Sequence, residues 1–539
     1  MSEEYQKMDI QEKLPDYVRT SSFNTYATYA LTSHAAFYAM INATYNDFMR
    51  RWVQNWLWWY DGYVPYFHNQ QNGIFSTRIG QALVDRMAKK VVGGRIMFKV
   101  SGEERNAGVG AKERPLTNEA LQHVNEWAKD TDFAGAVKRA VKFAAAAGTG
   151  LLKINKSGGR YWVDALRFDS FIPTVDFRGR ITDVKCFLQP YTRMAADGKG
   201  NGTVYYIVEH RYYGDYKRAD GNVIHNAPIV EYEARAINGS ITLAEYDMGK
   251  GMQIPYENLP KAVRKSIHRD FGVILDKPML LPFTEDMSLG CELVKWTDGI
   301  SNLPQVPFGE SLLAPIIAQL MSYDYYFSAF NTDMYTGRAR VLTSTAMMSS
   351  NKGEQNSGMD DYLLTRIPNY SGDDQKPIPI QFDLRSQSWS EIRDQLIQNI
   401  SILIGVNVAT IASFLNDSTA QKTAREVSVE ESETASIVYE KREVIERPIN
   451  RIIKAIIRLA GFNDDIVLRW STSELMNAFN RLDYAVAGVS NGIMSRESAV
   501  KMLNPDDDDE QIFDEINAIE EDSRNAQSQP FDGLDLISR

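Results

Sequence analysis

The sequence predicts an α+β chain in which long helices dominate the second half. Three observations carry this. Between residues 308 and 460, three long helical patterns are separated by two segments that cannot be helical. From about residue 148 to 246 the reading changes to strands separated by turn residues. The chain then closes on an acidic stretch with helical spacing. Strands and helices segregated along the chain in this way suit an α+β arrangement.

The elements follow in order. Residues 1–24 read as loosely ordered, and residues 22–60 as helical and aromatic, ending in RRWVQNWLWWYDGYVPYF. Its Trp52, Trp56, Trp58 and Trp59 point to core or subunit contact ahead of a base-stacking platform. Ile79, Leu83, Val84, Met87 and Val91 recur at helical spacing, Gly93-Gly94 stops that helix, and RIMFKV follows as a strand. EERNAGVGAKERP reads as a polar loop and residues 118–147 as helical, with close packing in VKFAAAAG. The strands are LLKIN, RYWVDAL, FIPTVDF, ITDVKCFLQPYT, TVYYIVEHRYY and IVEYEARAI, parted by SGG, DFRGR, ADGKGNG and RADGN. A short basic helix near 259–269 and an irregular stretch to 307 follow.

The first long helix carries Ile316, Leu320, Tyr323 and Phe327 on one stripe. The second aligns Ile392, Leu396, Ile400 and Leu403 and stops at Gly405. The third begins near Thr423 and carries Val427, Thr434, Ile437, Val444, Ile452, Ile456 and Leu459. Pro448 lacks a backbone donor, so a kink or break near Val444 is expected. Beyond Gly461 come a strand in DIVLRW and two or three shorter helices. In NPDDDDEQIFDEINAIEED, Asn504 reads as N-cap, Pro505 as first helical residue, and Ile512, Ile516 and Ile519 as the apolar stripe. The tail from Ser523 is expected to be mobile.

At 539 residues, 44% hydrophobic and 24% charged, the chain has the composition of a folded soluble protein of more than one domain. Its polar start is no signal peptide, and no run nears the roughly eighteen apolar residues of a membrane span. Cys186 and Cys291, the only cysteines, fit a reducing compartment, with the cytosol as default. The charge is uneven. Residues 504–539 hold twelve acidic residues against two arginines, −10 of the total −11, so the preceding chain is almost neutral. A protein that grips DNA through phosphates shows a basic footprint. This chain either ignores nucleic acid or contacts it without holding it.

The residues offer little chemistry. His34, His68, His123, His210, His225 and His268 form no metal-binding spacing and read as surface or packing residues. HRDFG compresses two kinase signatures that must lie apart, and AGVGAK lacks the full phosphate-loop pattern. Asp506–Asp509 reads as an acidic helix start in preference to a cation site. No catalytic residue, metal site or cofactor is predicted.

Taken together, several stretches resemble the portal proteins of tailed bacteriophages, of the SPP1-like kind. IFSTRIGQALVDRMAKKVVGGRIMFKV is similar to that family's early helix and strand, and DALRFDSFIPTVDFRGRITDVKCFLQPYT to its wing. FGESLLAPIIAQLMSYDYYFSAFNTDMYTGRARVL resembles the first stem helix. SWSEIRDQLIQNISILIGVNVATIASFLNDSTAQKTAREVSVEESETASIVYEKREVIERPINRIIKAI resembles the second stem helix, tunnel loop and long wing helix.

The resemblance implies a phage-portal fold assembled as a ring. It divides the chain into an N-terminal wing (1–308), first stem helix (309–337), clip (338–387), second stem helix (388–405) and tunnel loop (406–422). A long wing helix and wing return (423–484) and a helical crown with tail (485–539) complete it. It implies a non-enzymatic homo-oligomer, typically a dodecamer, at one vertex of the virion capsid, assembled in the host cytoplasm. Its partners would be double-stranded DNA in transit, the terminase motor, major capsid and scaffolding proteins, and a head–tail adaptor, with no membrane. Asn416, Ser418, Thr419, Gln421, Lys422 and Arg425 would face DNA from the tunnel loop. For Lys422 and Arg425, transient phosphate contact and a role at the helix start weigh equally. Arg338 and Arg340, where stem meets clip, fit a DNA-contacting ring or subunit salt bridges alike. Two other readings stay open: a nucleic-acid-processing enzyme of unfamiliar fold, and a non-ring scaffold acting through the Trp-rich N-terminal region.

Overall fold

The structure, a computed structural model, describes residues 47–62, 74–93, 96–101, 118–157, 159–176, 179–187, 191–193, 203–218, 220–238, 252–253, 255–259, 264–265, 277–283, 285–299, 307–336, 340–344, 364–367, 378–380, 386–408, 411, 424–470, 478–504, 507 and 509–528. The tryptophan-rich segment forms α1 (Asp47–Asp61), with Trp52, Trp56 and Trp59 buried beside Val53 and Leu57. These three rings are core, in line with the expectation for the cluster, while Trp58 is half-buried. Helix α2 (Ile79–Val92) buries Ile79, Leu83, Val84, Met87 and Val91, and Gly93 at φ 73 ends it by donating its N–H to Lys89 O. Strand β1 (Ile96–Val100) follows.

The stretch read as one helix is two, α3 (Glu119–Asp130) and α4 (Phe133–Ala147). Side-chain caps explain the division. Asn118 accepts from the N–H groups of Ala120 and Leu121, and Asp132, at φ 51, accepts from Gly135 N–H. On α4, Ala136, Ala140 and Ala144–Ala147 are fully buried, so neighbouring backbone can approach closely.

The strand-rich section builds two sheets. One joins β2 (Thr149–Ser157) to β3 (Arg160–Arg167) on one side and to β11 (Cys291–Lys295) on the other, all antiparallel. The second contains β4 (Phe171–Val175), β5 (Ile181–Phe187), β6 (Tyr191–Arg193), β7 (Thr203–Lys217), β8 (Val223–Asn238), β9 (Met252–Gln253) and β10 (Met279–Leu280). Strands β7 and β8 form a long hairpin flanked by β5 and β10. β11 corrects the expectation of irregular chain up to 307. The strand is only five residues long and buried on both faces, so it shows no alternation. Of the basic helix expected near 259–269, only residues 264–265 are described as helical.

A 3₁₀ turn, Ala314–Ile316, leads into α5 (Ile317–Thr336). The polar stretch after it holds a small sheet in which β12 (Arg340–Ser344) pairs parallel with β13 (Leu364–Ile367) and antiparallel with β14 (Ile378–Ile380). Helix α6 (Ser386–Ile404) ends at Gly405, φ 69, as its sequence predicts. Its buried face differs from the predicted stripe. Ile397, Ile400 and Ser401 are buried, whereas Ile392 and Leu403 are each 43% exposed.

Helix α7 (Ala424–Leu459) runs 36 residues through Pro448 without a break, which corrects the expected interruption near Val444. Pro448 is itself buried, between the buried Ile445 and Ile449, with Ile452, Ile453 and Ile456 following on the same helix. Tertiary packing there offsets part of the cost of the lost backbone hydrogen bond. Strand β15 (Ile466–Trp470) pairs antiparallel with β1, closing the second half of the chain onto the first. One buried core runs from Trp52 through α2, α4, β2, α5 and α7 to Leu468.

Three helices end the described chain: α8 (Ala478–Ser490), α9 (Arg496–Leu503) and α10 (Asp509–Ser528). The expected boundary between residues 484 and 485 falls inside α8. Asn504 is not the N-cap of the acidic helix; it closes α9, its N–H donating to Val500 O, and α10 begins at Asp509. Asn504 stands five residues before Asp509, too far from the first turn of α10 to cap it. Pro505 lies outside the described residues. No helix among the described residues is long and apolar enough to cross a membrane.

Candidate functional site

The predicted functional region consists of α5, α6, the chain between α6 and α7, and the start of α7. Helices α5 and α6 meet through aromatic rings. Trp389 lies edge-on to Tyr326 at 5.3 Å and to Phe330 at 5.9 Å between centroids. Hydrogen bonds fix its position. Tyr326 OH donates to Trp389 O at 2.7 Å, and Trp389 Nε1 donates to Asp333 Oδ2 at 3.0 Å. Edge-on rings with satisfied polar atoms hold two helices in one register.

The other end of α5 is tied to the segment that enters α2. Asp324, 3% exposed, accepts from Thr77 N–H at 2.9 Å and from Thr77 Oγ1 at 2.5 Å. Ser328 Oγ accepts from Phe75 N–H at 3.2 Å. Burial pushes the Asp324 carboxyl up, and the Thr77 and Ser76 donors partly counter it. The segment at 74–78 therefore rests on α5 through one carboxylate and one hydroxyl.

Helix α7 is bolted to α2, β11 and β15 along its second half. Arg442, 2% exposed, donates Nε to Val91 O at 2.7 Å, in the last turn of α2. A cation at that end of a helix also meets the negative end of its dipole. The Arg442 guanidinium lies over the Trp470 ring at 5.2 Å, while Trp470 Nε1 donates to Glu446 Oε2 at 3.1 Å. Asn450 Oδ1 accepts from Leu468 N–H, and Arg451 pairs with Glu292 at 3.2 Å. Burial raises the Glu292 carboxyl, with Arg451 opposing it.

After α6, Ser401 Oγ donates to Val406 O, Val406 N–H returns to Ser401 O, and Ile411 is buried. Asn416, Ser418, Thr419, Gln421 and Lys422 lie outside the described residues, as does Arg338. Arg425 falls in the first turn of α7, and Arg340 is the first residue of β12, opposite Ile380; only their backbones are described. Of the predicted positions the structure thus describes only Arg425 and Arg340, and those by backbone alone.

Sequence reasoning missed Asp324, Arg442 and a buried charge cluster on β2 and β7. Each left a signal. Asp324 is an isolated carboxylate in the aromatic run SYDYYFSAF. Glu209 and Arg211 sit at i and i+2 in a strand, on the face that carries the buried Ile207. Among the histidines, His123 packs on Phe462 at 5.5 Å, and His210 and His225 pair with Asp183 and Asp215. No group of three or more potential metal-ligating side chains converges among the described residues.

The geometry is that of a structural frame: two helices locked by rings, and a long one bolted into mixed sheet and helix. Residues 281–529, a little under half of the chain, match the family model described as phage portal protein, SPP1 Gp6-like. No curated protein matches the chain. Among solved structures, it is similar to a chain of the virion of the native gene transfer agent (GTA) particle, at 10% identity and a TM-score of 0.39, covering 80% of this chain and 91% of that one. It is also similar to a chain of the neck of the native GTA particle computed with C12 symmetry, at 11% identity and a TM-score of 0.39, covering 88% of this chain and 98% of that one. These two likenesses are too distant to bear on assembly here.

Proposed function

We propose that copies of this chain form a ring-shaped channel, a dodecamer, at one capsid vertex, through which the viral genome is packaged and later ejected. The observation that carries this reading is the portal-family match over residues 281–529, which takes in α5 to α10 and the chain between α6 and α7. In this reading α5 and α6 are the stem, residues 338–387 the clip that docks terminase and then the head–tail adaptor, and residues 406–422 the tunnel loop. The wing meets major capsid and scaffolding proteins, and residues 485–539 form the crown.

The charge distribution supports a conduit. A channel must let phosphates pass, and an acidic or neutral wall binds them weakly. The chain carries −11, with −10 in residues 504–539. Asn416, Ser418, Thr419 and Gln421 offer neutral polar groups in the loop, and Lys422 and Arg425 make brief phosphate contacts. Arg338 and Arg340 mark the junction of stem and clip.

Electron microscopy of the purified protein, with mass measurement on the same sample, tests this. Closed rings of about a dozen subunits around a hole wide enough for duplex DNA are expected. A chain that stays monomeric or dimeric at every concentration, including with capsid and scaffolding proteins present, would overturn it.

A further inference from the structure

We infer that Cys186 and Cys291 form a latent oxidation site, where a peroxide joins them in one intrachain disulfide that fastens the β4–β10 sheet to the β2 sheet. The bond itself is independent of the ring reading above; only its timing rests on that reading.

Strand register and one ion pair place the two thiols. Cys186 on β5 stands directly opposite Glu209 on β7, so both side chains leave their sheet on the same face. Cys291 on β11 stands directly opposite Lys153 on β2, with the same consequence in the other sheet. Lys153 Nζ meets Glu209 Oε2 at 2.8 Å, which sets β7 over β2 across the gap. Strands β5 and β11 approach within 8 Å between Cα atoms, so β5 lies over β11. Cys186 and Cys291 thus face each other beside the Lys153–Glu209 bridge. A disulfide spans about 4.4–6.8 Å between Cα atoms, and strands this close bring a facing pair near that range. Both thiols are free and fully buried, and the chain has no other cysteine to compete for either.

The surroundings choose the attacking sulfur. Arg211 Nη1 donates to Cys291 Sγ at 3.8 Å. Burial pushes the Cys291 thiol up, while Arg211 and Lys153 favour its thiolate. Cys291 attacks the O–O bond of the peroxide and becomes a sulfenic acid as one water leaves. Cys186 then displaces that hydroxyl as a second water, and the S–S bond forms. Two thiols and one hydrogen peroxide give one disulfide and two waters. Burial keeps the thiolate scarce and bulkier oxidants out, so the reaction is slow. The chain therefore stays reduced in a cytoplasm that holds thiols reduced, and closes once a particle has left it. The bond closes a loop of about a hundred residues that contains β6 to β10, which lowers the unfolding constant by about a thousandfold.

Thiol titration in urea of the full wild-type chain, before and after hydrogen peroxide treatment of the folded protein, tests this. Two thiols before and none after are expected, with a peptide pair holding residues 186 and 291 two hydrogens lighter than its reduced parts. The treated chain should unfold at a higher urea midpoint, by a margin that a reductant abolishes and Cys186→Ala lacks. Oxygen added to the separate cysteines, or a link between chains, would overturn the inference. So would two thiols still free after treatment long enough to oxidise the exposed Met334. A bonded chain that forms no rings would leave the site standing and remove the ring reading. Particles recovered outside the cell should hold the bond and cytoplasmic chains two thiols; particles with both thiols free would overturn the timing.

Discussion

Arg211 donates Nε to Glu209 Oε1 at 2.6 Å, with both side chains 3% exposed. The pair bridges two sheets. Lys153 on β2 reaches the other carboxylate oxygen at 2.8 Å, and the Arg211 guanidinium continues to Leu289 O at 3.0 Å and Asn155 Oδ1 at 3.2 Å. Two cations thus share one carboxylate where the β7 sheet faces the β2 sheet. Burial opposes the Glu209 charge, but Arg211 and Lys153 hold its carboxyl down at about 2. Burial also pushes the Cys186 and Cys291 thiols beside them upward.

Glu209→Gln should destabilise the protein by about 3–5 kcal/mol, because it leaves two cations buried without a counter-charge. Replacing all three charged residues with apolar ones of similar volume should cost far less. Urea unfolding of both variants checks this; equal midpoints for Glu209→Gln and wild type would refute it.

The same carboxylate sets an acid limit. Its folded pKa lies below the ordinary value of 4.5, so its contribution is complete above that value and is lost as pH falls toward about 2. Thermal melts between pH 5 and 2 should show a fall that Glu209→Gln largely lacks.

Asp324 behaves oppositely. Burial raises its carboxyl above the ordinary 3.8, so its ionisation favours the unfolded chain; this contribution to stability is present below 3.8 and lost as pH rises through the folded value. Asp324→Asn keeps an acceptor for Thr77 and should stay within about 1 kcal/mol of wild type at neutral pH, whereas Asp324→Ala strands a donor and should cost about 1–3 kcal/mol. Denaturant midpoints separate the two, and an Asn variant as weak as the Ala variant would sink the argument.

Gly148 and Gly309 meet backbone to backbone. Gly148 has φ 81, and a Cβ on either residue would collide with the carbonyl oxygen of the other. Gly148→Ala should therefore be among the most damaging single-methyl changes in the chain, at about 3 kcal/mol or more. Soluble yield and melting temperature report it; a melt unchanged from wild type would contradict this packing.

Pro448→Ala restores the missing backbone donor within α7. Proline costs about 3 kcal/mol in a helix interior, part of which its buried ring returns through packing. A net gain in thermal stability is expected, and a clear loss would mean the ring's packing outweighs the hydrogen bond.

Local chemistry settled a good deal in advance. The stripe Ile79, Leu83, Val84, Met87 and Val91 fixes α2, Gly93 and Gly405 fix two helix ends, and runs of β-forming residues parted by turn residues mark the strands from β2 to β8, because period and turn residues act over a few neighbours. The order of elements carried the family resemblance, and the match over residues 281–529 agrees with it. Tertiary structure decided what depends on distant partners. It carried α7 through Pro448, made β11 an inner partner of β2, turned Ile392 and Leu403 outward, and assembled Lys153, Glu209 and Arg211 from separate strands. Each of these outcomes turns on long-range burial, which outweighs local propensity and which spacing along the chain does not encode.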